Sequence, residues 1–253
     1  MKRKDCIVVL TIAVLAVSAC LVAIAQDGGE QAIPEDSEFQ GSKLCGMCHK
    51  DEMTAYEETA HFTHEPPADT DEPWKHNTGW DADAGEAAEE GIRCETCHGR
   101  GSAHSKAKTE EKYPLVINSL NIENNASRVS ICAQCHARYT AKEGDLPVDY
   151  TPGENLLEKI DLLPVEEGAT HQQVNELVTS THFEKNVGCV QCHTSHSGGG
   201  ENNLREPAEE ICKPCHADQL DMAHTKGMAK EGDTCVGCHM PNGAHTFAKP
   251  AGE

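Results

Sequence analysis

The apolar residues of this chain fall into one continuous run and a long, mostly polar remainder. Residues 2–4 are basic, and an uninterrupted apolar stretch covers residues 6–25. This order is typical of a secretory signal peptide, and small residues just before Gln26 form a cleavage site. We therefore predict that residues 1–25 are a signal peptide.

Two alternatives remain open for this segment. Residues 17–20 resemble a lipobox, which would leave a lipid anchor on Cys20. The uncut run is also close to the roughly 20 apolar residues that a membrane-spanning helix needs. All three interpretations place the rest of the chain outside the cytoplasm, in a periplasmic or extracellular location.

Beyond residue 25 the apolar residues are scattered. The pattern predicts short α-helices joined by extensive coil, with little or no β-structure. Residues 154–163 have the spacing of a short amphipathic helix that ends at Pro164. Residues 65–91 and 141–180 lie in the two longest cysteine-free parts of this region. We expect both to be solvated loops, the alternative being that they dock a partner.

The composition makes an ordinary apolar core difficult to build. Only 4% of the residues are aromatic, and the mean hydropathy is −0.55. That is a small supply of apolar surface for the 228 residues that follow residue 25. Without another apolar component, such a composition indicates partial disorder.

The cysteines indicate what that component is. All twelve cysteines after residue 20 occur in six copies of Cys-x-x-Cys-His, the attachment signature of c-type haem. Both thiols of such a motif bond to the haem, and the adjacent histidine binds the iron as its proximal ligand. The predicted thioether cysteines are Cys45, Cys48, Cys94, Cys97, Cys132, Cys135, Cys189, Cys192, Cys212, Cys215, Cys235 and Cys238. The predicted proximal histidines are His49, His98, His136, His193, His216 and His239.

Zinc sites, disulfides and redox pairs are weaker interpretations of the same cysteines. Zinc sites and thioredoxin-type pairs do not need a histidine directly after the second cysteine, yet here it follows six times in six. A disulfide framework would distribute its cysteines singly. The pattern therefore favours six covalently bound haem c groups, one for every 38 residues after residue 25. The haems would form most of the core, so we expect the haem-free chain to be largely unfolded.

The other histidines follow a second pattern. The chain has 15 histidines, and nine lie outside the motifs. Six of the nine flank the even-numbered motifs, one before and one after each motif. These distal ligand candidates are His61, His104, His182, His196, His224 and His245. We interpret the remaining three, His64, His76 and His171, as surface histidines, the alternative being that one of them replaces a distal candidate as iron ligand.

The two patterns together divide the chain into three di-haem modules, each with the order motif, histidine, motif, histidine. We predict module 1 at residues 45–104, module 2 at residues 132–196 with a long insert at 141–180, and module 3 at residues 197–245 including its preceding linker. The remaining parts are a linker at 26–44, a connector at 105–131 and a tail at 246–253.

Six additional histidines for six irons indicate bis-histidine coordination, which suits low-spin haem that carries electrons. Methionines could also bind iron, but none recurs at a repeated position. We therefore interpret five of them as packing residues: Met47, Met53, Met222, Met228 and Met240. The sequence leaves open which distal histidine serves which iron.

Several segments resemble known multihaem cytochromes. Residues 41–61 resemble the opening of the tetrahaem cytochromes that accept electrons from hydroxylamine oxidoreductase. Residues 91–104 are similar to a segment shared by that family and by periplasmic decahaem conduit cytochromes, and residues 189–239 also resemble the latter. The resemblance implies bis-histidine electron transfer, with three of the candidates as iron ligands: His61, His104 and His196. This chain has six motifs, not four or ten, and the tetrahaem relatives keep one iron five-coordinate, so one site here could be open.

The chain is strongly acidic, with a formal net charge of −21. Since residues 2–5 together carry +2, the part after residue 25 carries −23. This charge excludes nucleic acid as a partner and favours redox proteins that dock through positively charged surfaces. The sequence leaves open the alternative that the negative charge only keeps a haem-rich protein soluble.

Two functions from different classes fit these features. The first is an electron carrier of periplasmic or extracellular respiration that performs no bond chemistry. Such a carrier could also act as an end-to-end oligomer or filament, or as a conduit inside a membrane pore. The alternative is a reductase of a small nitrogen or sulfur oxyanion, which would need one open iron with acid–base residues beside it. We expect the carrier.

Overall fold

A computed structural model gives the fold of most of the chain after residue 32. It describes residues 33–63, 80–81, 86–87, 92–144, 149–197, 201–225, 227, 230 and 233–247. The predicted signal segment, His64, His76 and most of the acidic 65–91 stretch lie outside the described residues.

Short helices and coil make up the described part of the chain. The helices are α1 (Ser42–Cys48), α2 (Lys50–Tyr56), α3 (Ala60–Thr63), α4 (Cys94–His98), α5 (Ser102–Lys106), α6 (Asn125–His136), α7 (Gln173–Leu177), α8 (Thr181–Glu184), α9 (Cys189–Cys192), α10 (Ala208–Thr225) and α11 (Cys235–His239). The strands are β1 (Trp80–Asp81), β2 (Glu86–Ala87), β3 (Tyr139–Ala141) and β4 (Ile160–Leu162). The strands form two separate two-stranded antiparallel ladders. The prediction of short helices with extensive coil and little β-structure is confirmed.

None of the helices in the described ranges combines the length and the apolar character that crossing a membrane requires.

The predicted amphipathic helix at residues 154–163 is wrong. The chain forms a single 3₁₀ turn at Leu156–Glu158 and then enters β4, which pairs with β3 from Ile160–Ala141 to Leu162–Tyr139. Ile160 is buried and Asp161 is exposed, which is the two-residue alternation of a half-buried strand. Because apolar residues at 156, 160 and 163 also fit helical spacing, the short run was ambiguous in sequence.

The main apolar core lies around this turn and strand, so the insert at residues 141–180 is not a solvated loop. The core packs α6 against the 3₁₀ turn, β4 and α7. Its buried members are Val129, Ala133, Tyr150, Leu156, Ile160, Val174 and Leu177. All seven lie within module 2 or at the edge of its first motif, so this module has an apolar centre made by the polypeptide itself.

Buried polar groups fix the start of α6 against the segment that leads into α9. Asn125 Nδ2 donates hydrogen bonds to the carbonyls of Phe183 and Val187, at 3.1 and 3.3 Å. A Cβ on Gly188 would lie 2.8 Å from Asn125 Oδ1 and 3.0 Å from Val129 Cγ2, so a larger residue there would displace these side chains. These contacts bring the third and fourth motifs together although 57 residues separate their starts.

Candidate haem sites

Each of the six motifs lies on a helix. α1, α4, α6, α9, α10 and α11 carry the first to the sixth motif in order, with the histidine at or next to the helix end except in α10. One helical turn places residues three and four apart on the same face, so both thiols and the imidazole of a motif lie on one side. The twelve motif cysteines form no disulfides.

Local hydrogen bonds and one glycine explain where some of these helices begin and end. Thr234 caps α11 by accepting a hydrogen bond from the Gly237 N–H at 2.9 Å. Gly99 follows His98 with φ 73°, a left-handed conformation that ends α4. A Cβ on Gly99 would also lie 2.0 Å from Ile33 Cδ1, so the chain can turn away from the motif only with glycine.

Five of the six proximal histidines lie opposite a second histidine in the structure, and each of these partners is a distal candidate. The ring-centroid distances are 6.1 Å for His49–His104, 5.7 Å for His98–His196, 6.1 Å for His136–His61, 6.0 Å for His193–His245 and 5.8 Å for His216–His182.

These separations fit an iron held between two imidazoles. A metal–nitrogen bond of about 2 Å on each side, together with about 1 Å from each nitrogen to its ring centre, places two axial imidazole centres roughly 6 Å apart. In the shortest pair, the Nε2 atoms of His98 and His196 face each other at 3.4 Å, and the rings are within 12° of parallel. A direct stacking contact alone would not require nitrogen to face nitrogen.

Backbone carbonyls orient three of the paired rings. The Nδ1 atoms of His98, His104 and His193 contact the carbonyls of Ile117, Lys112 and Asn202 respectively, the last two at 3.0 Å. An iron-binding histidine usually donates its other ring N–H in this way, which sets the tautomer and leaves Nε2 for the metal. The residues present therefore fit a bis-histidine haem.

Burial favours the neutral form of the paired imidazoles. It lowers the pKa of His98, His182 and His245, and it lowers that of His136 to about 4. Neighbouring imidazoles add to this effect at all four rings. Neutral imidazole is the form that binds a metal, so these environments suit ligation.

Comparison with known proteins supports the same chemistry. Residues 182–221 match the family model described as a doubled CXXCH motif. Over 162 residues the chain is 26% identical to the multihaem cytochrome MtrA of Shewanella baltica (strain OS185), and this match covers 62% of the chain and 37% of MtrA. This chain is a multihaem c-type cytochrome. The doubled-motif match contains the fourth and fifth motifs, so it crosses the boundary that we predict between modules 2 and 3.

The fold is similar to that of one solved cytochrome structure. The cytochrome aligns with the outer cell wall cytochrome OcwA at a TM-score of 0.57 and 19% identity, over 83% of this chain and 80% of OcwA. The undecahaem cytochrome from the S-layer of Carboxydothermus ferrireducens aligns at a TM-score of 0.45 and 16% identity, over 86% of this chain and 53% of the other. At these identities the similarity to OcwA concerns the fold alone.

The motif cysteines of the cytochrome show which sites are neighbours. The thiols of Cys132 and Cys189 are hydrogen-bonded to each other, and so are those of Cys212 and Cys235. In the N-terminal part, α1 contacts α4, and the Cys94 N–H donates a hydrogen bond to Ser42 Oγ at 3.2 Å. The first and second, third and fourth, and fifth and sixth motifs therefore lie in neighbouring pairs.

Consecutive pairs of motifs also lie near each other, in the order in which the motifs occur along the chain. The hydrogen bond with Cys189 and burial raise the pKa of Cys132, and Cys97 of the second motif adds to the rise. Burial raises the pKa of Cys212 to about 11, with contributions from Cys235 and from Cys192 of the fourth motif. The second motif is thus near the third, and the fourth is near the fifth.

A buried carboxylate lies beside one of the paired histidines. Glu176 Oε2 accepts a hydrogen bond from the backbone N–H of His245 at 2.7 Å and lies 3.9 Å from the ring Nδ1. Glu176 Oε1 accepts a further hydrogen bond from Gln172 at 3.1 Å. Phe247 packs 4.1 Å from the His182 ring and 6.3 Å from the His245 ring. The sequence pattern did not single out Glu176, because it lies in the insert and in no motif.

Two further residues can be placed in the structure. Met47, which we interpret as a packing residue, lies in the first motif helix next to Cys48, and that interpretation stays a prediction. His171, interpreted as a surface histidine, is exposed, and its ring centroid lies 6.4 Å from that of His136. His136 therefore has two histidine neighbours, His61 and His171.

The sixth motif is carried by α11, which packs against α10. His239 ends α11, and His224 lies near the end of α10 with its side chain outside the described part. The pairing of these two residues stays a prediction.

Proposed function

We propose that this cytochrome binds six haem c groups, each iron held by two histidines, and that it transfers electrons along them without binding a substrate. The observation that carries the proposal is the set of five histidine pairs at 5.7–6.1 Å, each containing one motif histidine. Bound haem would supply one-electron redox chemistry. The polypeptide contributes the spacing, the ligands and the electrostatic environment.

The paired geometry favours the carrier over a reductase. A reductase of a nitrogen or sulfur oxyanion needs an iron with one free axial position. At five motifs a second imidazole lies 5.7–6.1 Å from the motif histidine, which supports two histidine ligands for each of these irons. An iron with two histidine ligands would have no free position for a substrate.

The order of the motifs supports a linear path from the first haem to the sixth. The cysteines at the two ends of this order are the more accessible ones: Cys48 in the first motif, Cys215 in the fifth and Cys238 in the sixth are exposed. We infer that electrons enter and leave at these ends. In this proposal the cytochrome works in the periplasm or outside the cell.

The charge of the chain indicates the kind of partner. The net charge of −21 favours redox partners with positively charged docking surfaces. Around the first motif, exposed Lys50 and Lys106 are accompanied by exposed Asp51 and Glu52, so this end favours no partner of opposite sign.

The test is a spin-state count on the purified holoprotein. Mass spectrometry and the pyridine haemochrome assay would give the number of haems, and electron paramagnetic resonance would give the low-spin fraction. We expect six haems, all low-spin, with no uptake of cyanide or nitrite. A high-spin iron that binds nitrite would contradict the carrier proposal, and fewer than six attached haems would contradict the stoichiometry.

A further inference from the structure

A buried carboxylate, Glu95, lies between the two cysteines of the second motif and binds backbone from two other segments. The residue is only 5% exposed. Its Oε1 accepts a hydrogen bond from the Gly101 N–H at 2.7 Å, and its Oε2 accepts one from the Gly41 N–H at 2.8 Å. The Gln40 N–H is shared between the two oxygens, at 3.0 Å from each. Three backbone N–H groups thus hold one charged side chain.

The two glycines bound by Glu95 begin the helices that carry a histidine pair. Gly41 directly precedes α1, which is followed by His49, and Gly101 directly precedes α5, which contains His104. Gly41 has φ 79°, a backbone conformation that favours glycine. The ring centroids of His49 and His104 are 6.1 Å apart. A residue of the second motif therefore fixes both helices of the pair that contains the first motif histidine.

A second contact joins the same two segments. The Glu38 N–H donates a hydrogen bond to Ser102 Oγ at 2.8 Å, and the Ser102 N–H donates one to the Glu38 carbonyl at 3.1 Å. Ser102 is the first residue of α5 and is only 3% exposed, so water has little access to this contact. The chain just before α1 is thus connected to the start of α5 through Glu95 and through Ser102.

We propose that Glu95 is a positioning residue for the first haem iron: although it lies in the second motif, its carboxylate sets the separation of His49 and His104. The proposal rests on the proposed bis-histidine ligation and extends it by naming a residue outside the ligand set on which one iron depends. A carboxylate suits this role because both of its oxygens accept hydrogen bonds, and bonds to a charged acceptor are stronger than neutral ones. A buried charge also strongly disfavours any arrangement in which these partners are lost.

Glutamine at this position would break half of the arrangement. It has nearly the shape of glutamate, but only one of its two terminal atoms accepts hydrogen bonds, and the other is an NH₂ donor. The amide oxygen can bind the Gly41 N–H or the Gly101 N–H, but not both, and the NH₂ group would face the remaining donor. Glu95→Gln should therefore release α1 or α5. His98 of the second motif would keep its own contact with the Ile117 carbonyl.

The test is a count of low-spin irons in the purified holoprotein by electron paramagnetic resonance, with attached haems counted by mass spectrometry. We expect six low-spin irons in the wild type and five in Glu95→Gln, with six haems attached in both. Added imidazole should restore the sixth low-spin signal, because an opened iron accepts an external ligand. The matched control is Glu52→Gln, which makes the same change at an exposed carboxylate of α2, close to the first motif, and should leave six.

Double variants identify the iron that Glu95 affects. Combining Glu95→Gln with His104→Ala should leave five low-spin irons, because both changes act on the same iron. Combining it with His196→Ala should leave four, because His196 lies opposite His98 of the second motif. The reverse counts would overturn the proposal, since they would place the effect of Glu95 on the iron of its own motif. Loss of several low-spin irons in Glu95→Gln alone would also overturn it.

Ser102→Ala is a milder test of the same connection, since it removes only the hydroxyl that accepts the Glu38 N–H. We expect one iron of this variant to take up cyanide slowly, where the wild type takes up none. The outcomes also separate this proposal from the proposed function. A high-spin iron in the wild type would contradict full bis-histidine ligation itself. Six low-spin irons in both the wild type and Glu95→Gln would contradict only the role of Glu95.

Discussion

The carboxylate of Glu176 should lower the reduction potential of one haem, and Glu176→Gln should raise it. Glu176 is only 7% exposed, and its Oε2 lies 3.9 Å from Nδ1 of His245. The imidazole ring and a metal bond add about 4 Å, so the charge would lie roughly 8 Å from the iron. A negative charge at this distance stabilises the oxidised, more positive iron.

The expected size of the shift follows from Coulomb's law. At an effective dielectric constant of 20, two unit charges roughly 8 Å apart interact by about 2 kcal/mol. For a one-electron couple this corresponds to about 90 mV, and residual screening by solvent would reduce it to the order of 40–90 mV. Glutamine keeps an oxygen that can accept the His245 N–H, so the main change is the charge.

The measurement is a spectroelectrochemical titration of wild-type and variant holoprotein, in which one of the haem potentials should rise. Glu166→Gln is the matched control: it removes a nearby carboxylate whose side chain is 60% exposed and paired with Arg138 at 3.0 Å. We expect the control to shift every potential by less than about 20 mV, because solvent screens an exposed charge. Equal shifts in both variants, or none in Glu176→Gln, would refute the reasoning.

Three further predictions concern the core, the third iron and the haem-free chain. Leu156→Ala should lower the free energy of unfolding by about 2–5 kcal/mol, as measured by denaturant titration followed by circular dichroism. The control Leu120→Ala, at a position that is 58% exposed, should change it by less than about 0.5 kcal/mol. His61→Ala should convert one iron to the high-spin state and His171→Ala should convert none, because the His61 ring is half-buried and His171 is exposed. A high-spin signal in His171→Ala but not in His61→Ala would reverse this assignment. In haem-free protein, limited proteolysis should cut residues 197–245 before it cuts the apolar core, and equal rates of cutting would argue against that order.

The sequence was sufficient to predict the chemistry of the sites because that chemistry lies in short local motifs. Cys-x-x-Cys-His places its ligands on one helical turn, and all six copies are found on helices. The recurrence of histidines around the even motifs also selected residues that the structure brings close to motif histidines, since five of the six candidates lie opposite one. The binding of iron by these residues stays a prediction.

The pairing itself could not be predicted, since it depends on how distant segments fold. His98 and His196 are 98 residues apart in the chain. Residues so far apart meet through contacts between distant segments, which no motif encodes, and the Asn125 hydrogen bond to the Phe183 carbonyl is one contact of this kind. The helix predicted at residues 154–163 was wrong for a different reason. A short apolar run fits both helical and strand periodicity until its partner strand is known.

The distribution of apolar residues explains why the modules need each other. The largest cluster of buried hydrophobic residues lies in the middle module, and among the described residues of 197–245 none is a buried hydrophobic. Module 3 therefore gains little free energy from an apolar core of its own. Its contacts with the predicted module 2 include those at His216 and His245, and the buried Glu176 side chain accepts a hydrogen bond from the backbone N–H of His245. If iron bridges these pairs, covalent haem attachment would complete the fold of the outer module and at the same time build the path along which electrons move.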